Sequence, residues 1–457
     1  MKHIPRLIIL SSVCLLGASA NLASAQTVTN LYSFGAGFDG LYPYGALVQG
    51  SDGNFYGTTI FGGDLGNGVV YRITPGGSLT NLYSFTGTSD EYYPEGGVVQ
   101  GSDGNFYGTT SGGNYTNGTV FKITPAGSFT NLYTFGFSPD GARPNDSLAQ
   151  GGDGNFYGTT EIGGTYGYGT VFKITLGGSY TNLYSFDGSL ERGGYPESGV
   201  VPGSDGNLYG TTLGTVFRIS PSGSFTNLYT FVLGDGGNAY AGLVQGSDGN
   251  FYGATQGGGT YGYGTVYRIT PAGSYTNLYS FGASPDGNQP YGALVQGSDG
   301  NFYGATQFGG ANGVGTLFKI TPSGSYTNLY SFGTNPGSGT YPMTKLVQGS
   351  DGSLYGTCNG GGTIGYGVVY KVSVPLNPPA NQISAIRQTG TNIVVSIPSV
   401  AGETYQLQSS TSMQPTNWVN VSGASITNSL GALLTVTNTG GAVPAQRFYR
   451  FRVTTGP

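Results

Sequence analysis

A single sequence unit recurs along most of this chain, and the repeat constrains the fold more than any other feature. The motif NLYSF or NLYTF begins at Asn30, Asn81, Asn131, Asn182, Asn227, Asn277 and Asn328. Successive copies are separated by 51, 50, 51, 45, 50 and 51 residues. A self-similar period of this length is typical of solenoids and propellers, in which each repeat forms one supersecondary unit.

Each unit contains four short apolar or aromatic runs separated by turn residues, which is the pattern of strands and not of helices. In the second copy the runs are GVVQG, NFYGTT, TVFKIT and TNLYTF. The pair Asp103-Gly104 joins the first two runs. Such a pair favours a tight hairpin, because glycine accepts a positive φ and aspartate bonds its own backbone. Since four antiparallel strands make one blade, the sequence predicts an all-β, seven-bladed β-propeller.

The phase of the repeat predicts how the ring closes. We place LVQG innermost and NLYSF at the outer edge of each blade, by analogy with other propellers. The chain then begins with an unpaired outer strand at 29–34. Its last blade has only three strands, at 346–348, 353–357 and 368–374. We therefore predict that the N-terminal strand completes the last blade.

Residues 1–25 have the features of a secretory signal peptide. A basic segment at 2–6 precedes an apolar stretch at 7–18, and the small residues at 23–25 fit a cleavage site. The apolar stretch is short for a membrane span. We therefore expect a secreted or cell-surface protein whose mature chain contains no membrane span.

Removal of the signal peptide changes the chemical inventory. The only histidine, His3, would be lost, and Cys358 would remain as the only cysteine. Ser-His-Asp catalysis, Cys-His catalysis and His-ligated zinc are thereby excluded. The whole chain has 21 acidic and 16 basic residues and a formal net charge of −5, so nucleic acid is not expected as a partner. We predict no metal site, no cofactor and a monomer.

The composition changes after the propeller, which we assign to 26–374. Residues 375–381 form a proline-rich linker. Residues 382–457 contain about six strand-like runs, and this size suits a small β-sandwich with Trp418 in its core.

The repeat resembles a known family. The unit LVQGSDGNFYGTT, followed by a glycine-rich gap and GTVFKITP, resembles the choice-of-anchor tandem-repeat family known as GloVer repeats. The resemblance implies an exported bacterial protein with a repeat array, and the family has no established activity or catalytic residues to carry over. The blades are also similar to those of NHL-type propellers. The segment 382–457 resembles a β-sandwich module found at the ends of secreted bacterial proteins.

Two kinds of charged residue occur in every copy. An aspartate lies in each hairpin turn: Asp52, Asp103, Asp153, Asp205, Asp248, Asp299 and Asp351. A basic residue lies in each third strand: Arg72, Lys122, Lys173, Arg218, Arg268, Lys319 and Lys371. A charged residue that recurs in every blade is expected to have a structural role common to all blades. We predict turn formation and ion pairs that staple the blades; a ring of bound cations is the alternative.

A specific site is expected where the copies differ. The residue that enters each inner strand varies: Tyr44, Glu95, Asn145, Glu197, Tyr240, Tyr291 and Met343. The next residue is small in most copies, as the crowded axis requires, but is Asp146 in the third. We predict a ligand site at the channel mouth that contains Tyr44, Glu95, Asn145, Asp146, Glu197, Tyr240 and Tyr291.

Three functions are compatible with this sequence. The leading interpretation is a non-catalytic binding or adhesion protein, because aromatic faces beside carboxylates and amides suit a glycan or another surface component. The first alternative is an enzyme acting on polysaccharide, with Glu95, Asp146 and Glu197 as the catalytic candidates. The second is a structural protein of the envelope or matrix. The sequence does not separate the first interpretation from the last.

Overall fold

The structure is a computed structural model that describes residues 27–373, except 36, 88–91, 113–116, 233 and 283, together with six strands between 385 and 454. The predicted signal peptide at 1–25, the linker at 375–381 and Trp418 lie outside the described residues. Every regular element in the described part is a strand. No helix there has the length and apolar character needed to span a bilayer.

The repeats form seven four-stranded antiparallel sheets, each with its strands in the predicted order from the inner to the outer edge. The inner strands are Val48–Gln49, Val99–Gln100, Ala149–Gln150, Val201–Pro202, Val244–Gln245, Val295–Gln296 and Val347–Gln348. The second strands are Phe55–Thr59, Phe106–Thr110, Phe156–Thr160, Leu208–Thr211, Phe251–Thr255, Phe302–Thr306 and Leu354–Cys358. The third strands are Val69–Ile73, Thr119–Ile123, Thr170–Ile174, Thr215–Ile219, Thr265–Ile269, Thr316–Ile320 and Val368–Ser373. The chain is therefore a seven-bladed β-propeller.

The outer strand of the last blade comes from the other end of the propeller. The outer strands of blades one to six are Leu79–Ser84, Phe129–Thr134, Tyr180–Ser185, Phe225–Thr230, Tyr275–Ser280 and Tyr326–Ser331. In blade seven, Thr27–Ser33 pairs antiparallel with Val368–Ser373, from Thr27 opposite Ser373 to Ser33 opposite Val368. The predicted closure is confirmed. Two short ribbons on the loops pair Gly287–Asn288 with Phe308–Gly309 and Gly339–Thr340 with Gly360–Gly361.

The core lies between the blades. Every residue of Phe55–Thr59 is buried, and the equivalent strands are buried in the same way. The ring of Tyr56 stacks on Phe106 of the next blade, with 3.9 Å between centroids, and Phe55 lies 4.1 Å from Tyr355 across the closure. Both faces of a blade pack against neighbours, so the strands lack the alternation of polar and apolar residues seen in a half-exposed sheet.

The repeated aspartates build the hairpin turns as predicted. In blade two the carboxylate of Asp103 accepts hydrogen bonds from the backbone N–H of Asn105 at 3.1 Å, from its side-chain amide at 2.7 Å and from the hydroxyl of Tyr107 at 2.9 Å. The pairing predicted between aspartates and basic residues holds in one of the described blades, where Lys371 Nζ lies 2.8 Å from Asp351. In the other blades an asparagine amide bonds the carboxylate oxygen that Lys371 approaches in blade seven, where Ser353 replaces the asparagine, so the predicted stapling by ion pairs is found in that blade alone among the described residues.

The C-terminal strands form two three-stranded antiparallel sheets. One sheet contains Ala385–Thr389, Asn392–Pro398 and Leu433–Asn438, in that order. The other contains Val419–Thr427, Thr404–Ser410 and Phe448–Thr454, in that order. Six strands agree with the number expected from the sequence. The β-sandwich stays a prediction, because its side chains lie outside the described residues.

Candidate functional site

Two kinds of connection alternate along the chain, and they lie on opposite rims of the ring. In blade one, turns at 50–54 and 74–78 lie on one rim, which we call the turn rim. The loop at 60–68 and the described residues 85–87 and 92–98 lie on the other, which we call the loop rim. This follows from the antiparallel order of the strands, since alternate connections of such a sheet lie at opposite ends.

Within the described part of the propeller, large hydrophobic side chains are exposed on the loop rim and not on the turn rim. They are Phe38, Phe61, Leu65, Phe137, Tyr166, Leu190, Tyr195, Val232, Tyr261, Tyr263, Tyr341 and Ile364. Single exposed hydrophobic residues are normal on any surface, but their confinement to one rim favours that rim as the face that contacts other molecules.

The two rims also differ in charge. On the turn rim, seven aspartates are balanced by seven basic residues. Outside the channel interior, the described loop rim carries the carboxylates Asp39, Asp64, Glu95, Asp140, Glu161, Asp187, Glu191, Glu197, Asp235 and Asp286. It carries two arginines, Arg143 and Arg192, each in an ion pair with a neighbouring carboxylate. The loop rim is therefore strongly acidic, and the turn rim is close to neutral.

The backbone is strained just before the residues that enter the inner strands at the channel mouth, from Tyr44 in blade one to Met343 in blade seven. Two positions before each of them lies a non-glycine residue with φ between 54° and 61°: Tyr42, Tyr93, Arg143, Tyr195, Asn238, Gln289 and Tyr341. The N–H of Tyr93 donates to the carbonyl of Asn67 in the preceding blade at 3.2 Å, and its own carbonyl accepts from the N–H of Ser111 at 3.0 Å. Bulky residues rarely adopt this conformation, and such strain concentrates at functional sites.

All seven predicted site residues line one cavity of about 390 Å³ at this mouth. Its aromatic side contains three tyrosines. The hydroxyl of Tyr44 donates to that of Tyr291 at 2.8 Å, and the rings of Tyr240 and Tyr291 stack with 5.3 Å between centroids. Burial, together with the nearby carboxylates of Glu95 and Glu197, raises the pKa of Tyr44 to about 12. The tyrosine is therefore a neutral hydrogen-bonding group near neutral pH.

The opposite side of the cavity is acidic. The side-chain N–H₂ of Asn145 donates to Glu161 at 3.0 Å and to Glu197 at 3.4 Å, while Arg143 Nη1 lies 3.4 Å from Glu161. Burial raises the pKa of Glu197 to about 7, and the negative charge of Glu161 adds to that rise. Burial also raises the pKa of Glu95. The side-chain oxygen of Asn145 is buried and has no hydrogen-bond partner in the described part of the chain.

Asp146 and Lys345 line the interior of the same cavity. The two carboxylate oxygens of Asp146 accept the N–H of Ser147 at 2.6 Å and the N–H of Gly199 at 2.8 Å, so this side chain links blade three to blade four. Burial raises the pKa of Asp146 and lowers that of Lys345, and the attraction between the two charges opposes both shifts. Because the backbone already occupies both oxygens, Asp146 contributes first to the shape of the channel.

The predicted set omitted two residues of the site. Glu161 follows the second strand of blade three, and Lys345 lies one position beyond the residue that was expected to face the axis. The position equivalent to Lys345 is small in the other copies: Ala46, Gly97, Ser147, Gly199, Gly242 and Ala293. The expectation for the preceding position was wrong in copies such as Gly45, where an added Cβ would lie 2.9 Å from the Cα of Gly97 in the next blade, so that residue packs between blades. A single lysine among small residues was the available signal.

The chain matches the model of one known protein family. Residues 17–213 and 212–386 match the family model described as the Gloeobacter/Verrucomicrobia repeat. The chain belongs to this family. The two matches together span all seven blades, and each match covers several of them. No curated protein matches the chain.

Solved structures are similar to this Gloeobacter/Verrucomicrobia repeat protein at low sequence identity. The extracellular domain of a putative hybrid two-component system from B. thetaiotaomicron has a TM-score of 0.52 and 14% identity, over 79% of this chain and 40% of that one. The extracellular domain of a putative one-component system from the same organism has a TM-score of 0.52 and 13% identity, over 81% of this chain and 44% of that one. A gluconolactonase from Xanthomonas campestris has a TM-score of 0.42 and 11% identity, over 77% of this chain and 91% of that one. The chain therefore spans less than half of the two extracellular domains, and the similarity to them concerns the fold alone.

The cavity combines groups that recognise a polar ring. Tyrosine faces pack against the flat face of a ring, and carboxylates and amides accept hydrogen bonds from its substituents. In the described residues, no group of three or more cysteine, histidine or carboxylate side chains is arranged to hold a metal ion.

Proposed function

We propose that this Gloeobacter/Verrucomicrobia repeat protein is an exported, non-catalytic binding or adhesion protein that takes a glycan at the mouth of its channel. The proposal rests on one observation: Tyr44, Tyr240 and Tyr291 face a carboxylate and amide cluster across a cavity of about 390 Å³. This volume lies within the range of small-ligand sites, roughly 300–1,000 Å³.

The asymmetry of the two rims supports the placement of the site. Exposed hydrophobic residues and unbalanced carboxylates both occur on the loop rim, where the mouth opens. The features of 1–25 support export, and two solved structures of similar fold are extracellular domains. The ligand would then be a glycan of the surroundings or of a cell surface. We expect a monomer, because two acidic loop rims would repel each other.

Catalysis on polysaccharide is the second candidate, and one observation favours it. The raised pKa of Glu197, about 7, is the value that a general acid requires near neutral pH. Asp146 suits this chemistry less well, because both of its oxygens accept backbone hydrogen bonds. A hydrolytic role would therefore depend on Glu197 and Glu95.

A glycan array probed with the mature chain, residues 26–457, tests the proposal, with release of reducing sugar measured on each glycan that binds. We expect binding without release. Replacement of Tyr240 by Ala should weaken binding by about 0.5–1.5 kcal/mol, the value of one aromatic contact. The matched control is Tyr166→Ala, an exposed tyrosine of the same rim that does not line the cavity.

The outcomes separate the candidates. Unchanged affinity in a triple variant of Tyr44, Tyr240 and Tyr291, with unchanged melting, would place the site elsewhere on the chain. Release of reducing sugar that disappears in Glu197→Gln would show the enzymatic function instead. A chain that binds no glycan would leave the structural role as the better description.

A further inference from the structure

We infer that the glycan bound at the mouth carries a free amino group, as an amino sugar without its acetyl group does. This inference rests on the proposed function and specifies the ligand class of the same site. It follows from the hydrogen-bonding capacity of the cavity, from its charge and from the position of the tyrosines.

The acidic side of the cavity has more acceptors than donors. Glu161 and Glu197 both accept from the side-chain N–H₂ of Asn145, at 3.0 and 3.4 Å, and Glu161 also pairs with Arg143 at 3.4 Å. Glu95 and Glu197 line the cavity, and their carboxylate oxygens accept hydrogen bonds, so a ligand that fits this side must bring N–H or O–H groups. A protonated amine brings three donors and no acceptor.

The charge of the mouth favours a cation over a neutral donor. Glu95, Glu161 and Glu197 face one arginine, Arg143, whose side chain is 51% exposed. Lys345 lies in the cavity interior, where its charge interacts with Asp146. Three carboxylates with one exposed counter-charge repel one another, and an ammonium group placed among them removes that repulsion. The tyrosine rings on the other side also attract a cation through their faces.

The same charges exclude other ligands. A glycan with carboxylate or sulfate groups would meet the acidic loop rim and be repelled. A second copy of this chain would present the same acidic surface, so charge repulsion disfavours a dimer through the loop rims. A basic peptide shares the charge of an amino sugar, but it does not present a flat ring to the stacked pair Tyr240 and Tyr291. We therefore choose the sugar, and the peptide becomes an outcome of the test.

The test is titration calorimetry of the mature chain with three probes: a short glucosamine oligomer with free amines, its N-acetylated counterpart and an oligolysine of similar charge. The glucosamine oligomer should bind at least tenfold more tightly than either other probe, since one charge-assisted hydrogen bond contributes about 1.5–3 kcal/mol. Glu197→Gln and Glu161→Gln should each reduce its affinity about tenfold. Their effect on the N-acetylated oligomer should be smaller, because that probe loses a neutral hydrogen bond and not a charge-assisted one.

Glu191→Gln is the control, because Glu191 is an exposed loop-rim carboxylate outside the cavity lining, whereas Glu161, also outside the lining, accepts a hydrogen bond from the lining residue Asn145. It should leave all three affinities unchanged, and melting curves should show that each variant is folded.

Equal binding of the free and N-acetylated oligomers would overturn the inference while preserving the proposed glycan-binding function. Oligolysine binding as tight as that of the glucosamine oligomer would show that charge alone is recognised and would overturn the sugar class. Binding of neutral glycans alone would overturn the amine, and binding of no probe and no glycan would overturn the proposed function itself.

Discussion

Three tyrosine hydroxyl groups in the third strands, those of Tyr71, Tyr267 and Tyr370, are buried without a hydrogen-bond partner in the described residues. The same position in the other blades holds Phe121, Phe172, Phe217 and Phe318. Since an unsatisfied buried hydroxyl costs about 1–3 kcal/mol, we expect Tyr267→Phe to raise the free energy of unfolding by about 1 kcal/mol. Denaturant unfolding measures the change. Phe318→Tyr in the next blade should have the opposite effect, and a loss of stability in Tyr267→Phe would mean that its hydroxyl is satisfied.

The strained residues before the mouth give a second prediction at this scale. Gln289 has φ near 54°, its N–H donates to Tyr263 at 2.9 Å and its carbonyl accepts from Gln307 at 3.1 Å. Because a β-branched residue is disfavoured in this conformation, Gln289→Val should lose about 1–2 kcal/mol relative to Gln289→Gly. Thermal melting of the two variants measures the difference. Equal melting temperatures would show that the hydrogen bonds do not fix this φ.

Glu197 makes the stability of the propeller depend on pH. Burial and the neighbouring Glu161 raise its folded-state pKa to about 7 from an ordinary value of 4.5. The folded state therefore binds this proton more tightly, so its contribution is fully present below about pH 4.5 and is lost as pH rises through 7. Between pH 5 and 8 we expect a loss of about 1 kcal/mol, after allowance for the partial exposure of the group. Glu197→Gln should flatten this part of the profile, and an unchanged slope would assign it to other groups.

Comparison of the repeats identifies some residues of the channel mouth and misses others. Tyr44, Glu95 and Glu197 were recognisable because equivalent positions in other blades hold different side chains, and a common scaffold does not explain that variation. Glu161 lies in a connection whose path is not fixed by strand pairing, so its approach to Glu197 required the structure. The strain at residues such as Tyr93 was also hidden, because a left-handed conformation of tyrosine has no sequence signature.

At the scale of the elements, a glutamine clasp joins the inner strands on the turn rim. The side-chain oxygen of Gln100 accepts the N–H of Ser51 in the preceding blade at 2.8 Å, and its N–H₂ donates to the Ser51 hydroxyl at 3.2 Å. The same clasp closes the ring between Gln49 and Ser350. Between blades three and four both partners are replaced, by Gly152 and Pro202, so this junction lacks the clasp and has the Asp146 link instead.

Restoring the clasp should stabilise that junction. The space around Gly152 is open, so a serine side chain fits there. We expect the double variant Gly152→Ser with Pro202→Gln to gain about 0.5–1.5 kcal/mol, the value of the hydrogen bonds formed. The sum of the two single variants should fall short of the double, because a glutamine at 202 alone can accept the backbone N–H of Gly152, whereas its bond to the serine hydroxyl needs both changes. Strict additivity in denaturant unfolding would show that the hydroxyl bond contributes no energy.

At the scale of the whole molecule, the sequence predicted the number of blades, the strand order and the closure, because all three follow from the period and the phase of one motif. The opposite character of the two rims was not predicted. It depends on how far side chains such as Phe38 and Leu190 are exposed, and a periodic pattern does not contain that information. The acidic loop rim therefore became a candidate interaction face only in the folded ring.

Closure by the first strand gives the prediction that concerns the whole ring. Removal of 26–34 would leave Val368–Ser373 as an unpaired edge and would delete Phe34, which is fully buried in the contact with blade one. We expect the free energy of unfolding to fall by several kcal/mol, since a buried phenylalanine alone contributes about 1.5–3 kcal/mol. The exposed edge should also promote aggregation. A synthetic peptide of residues 27–34 should restore the melting temperature in proportion to its concentration, because strand addition satisfies the edge. A truncated protein that melts within about a degree or two of the full chain, with no response to the peptide, would show that the ring is held closed by contacts other than this strand.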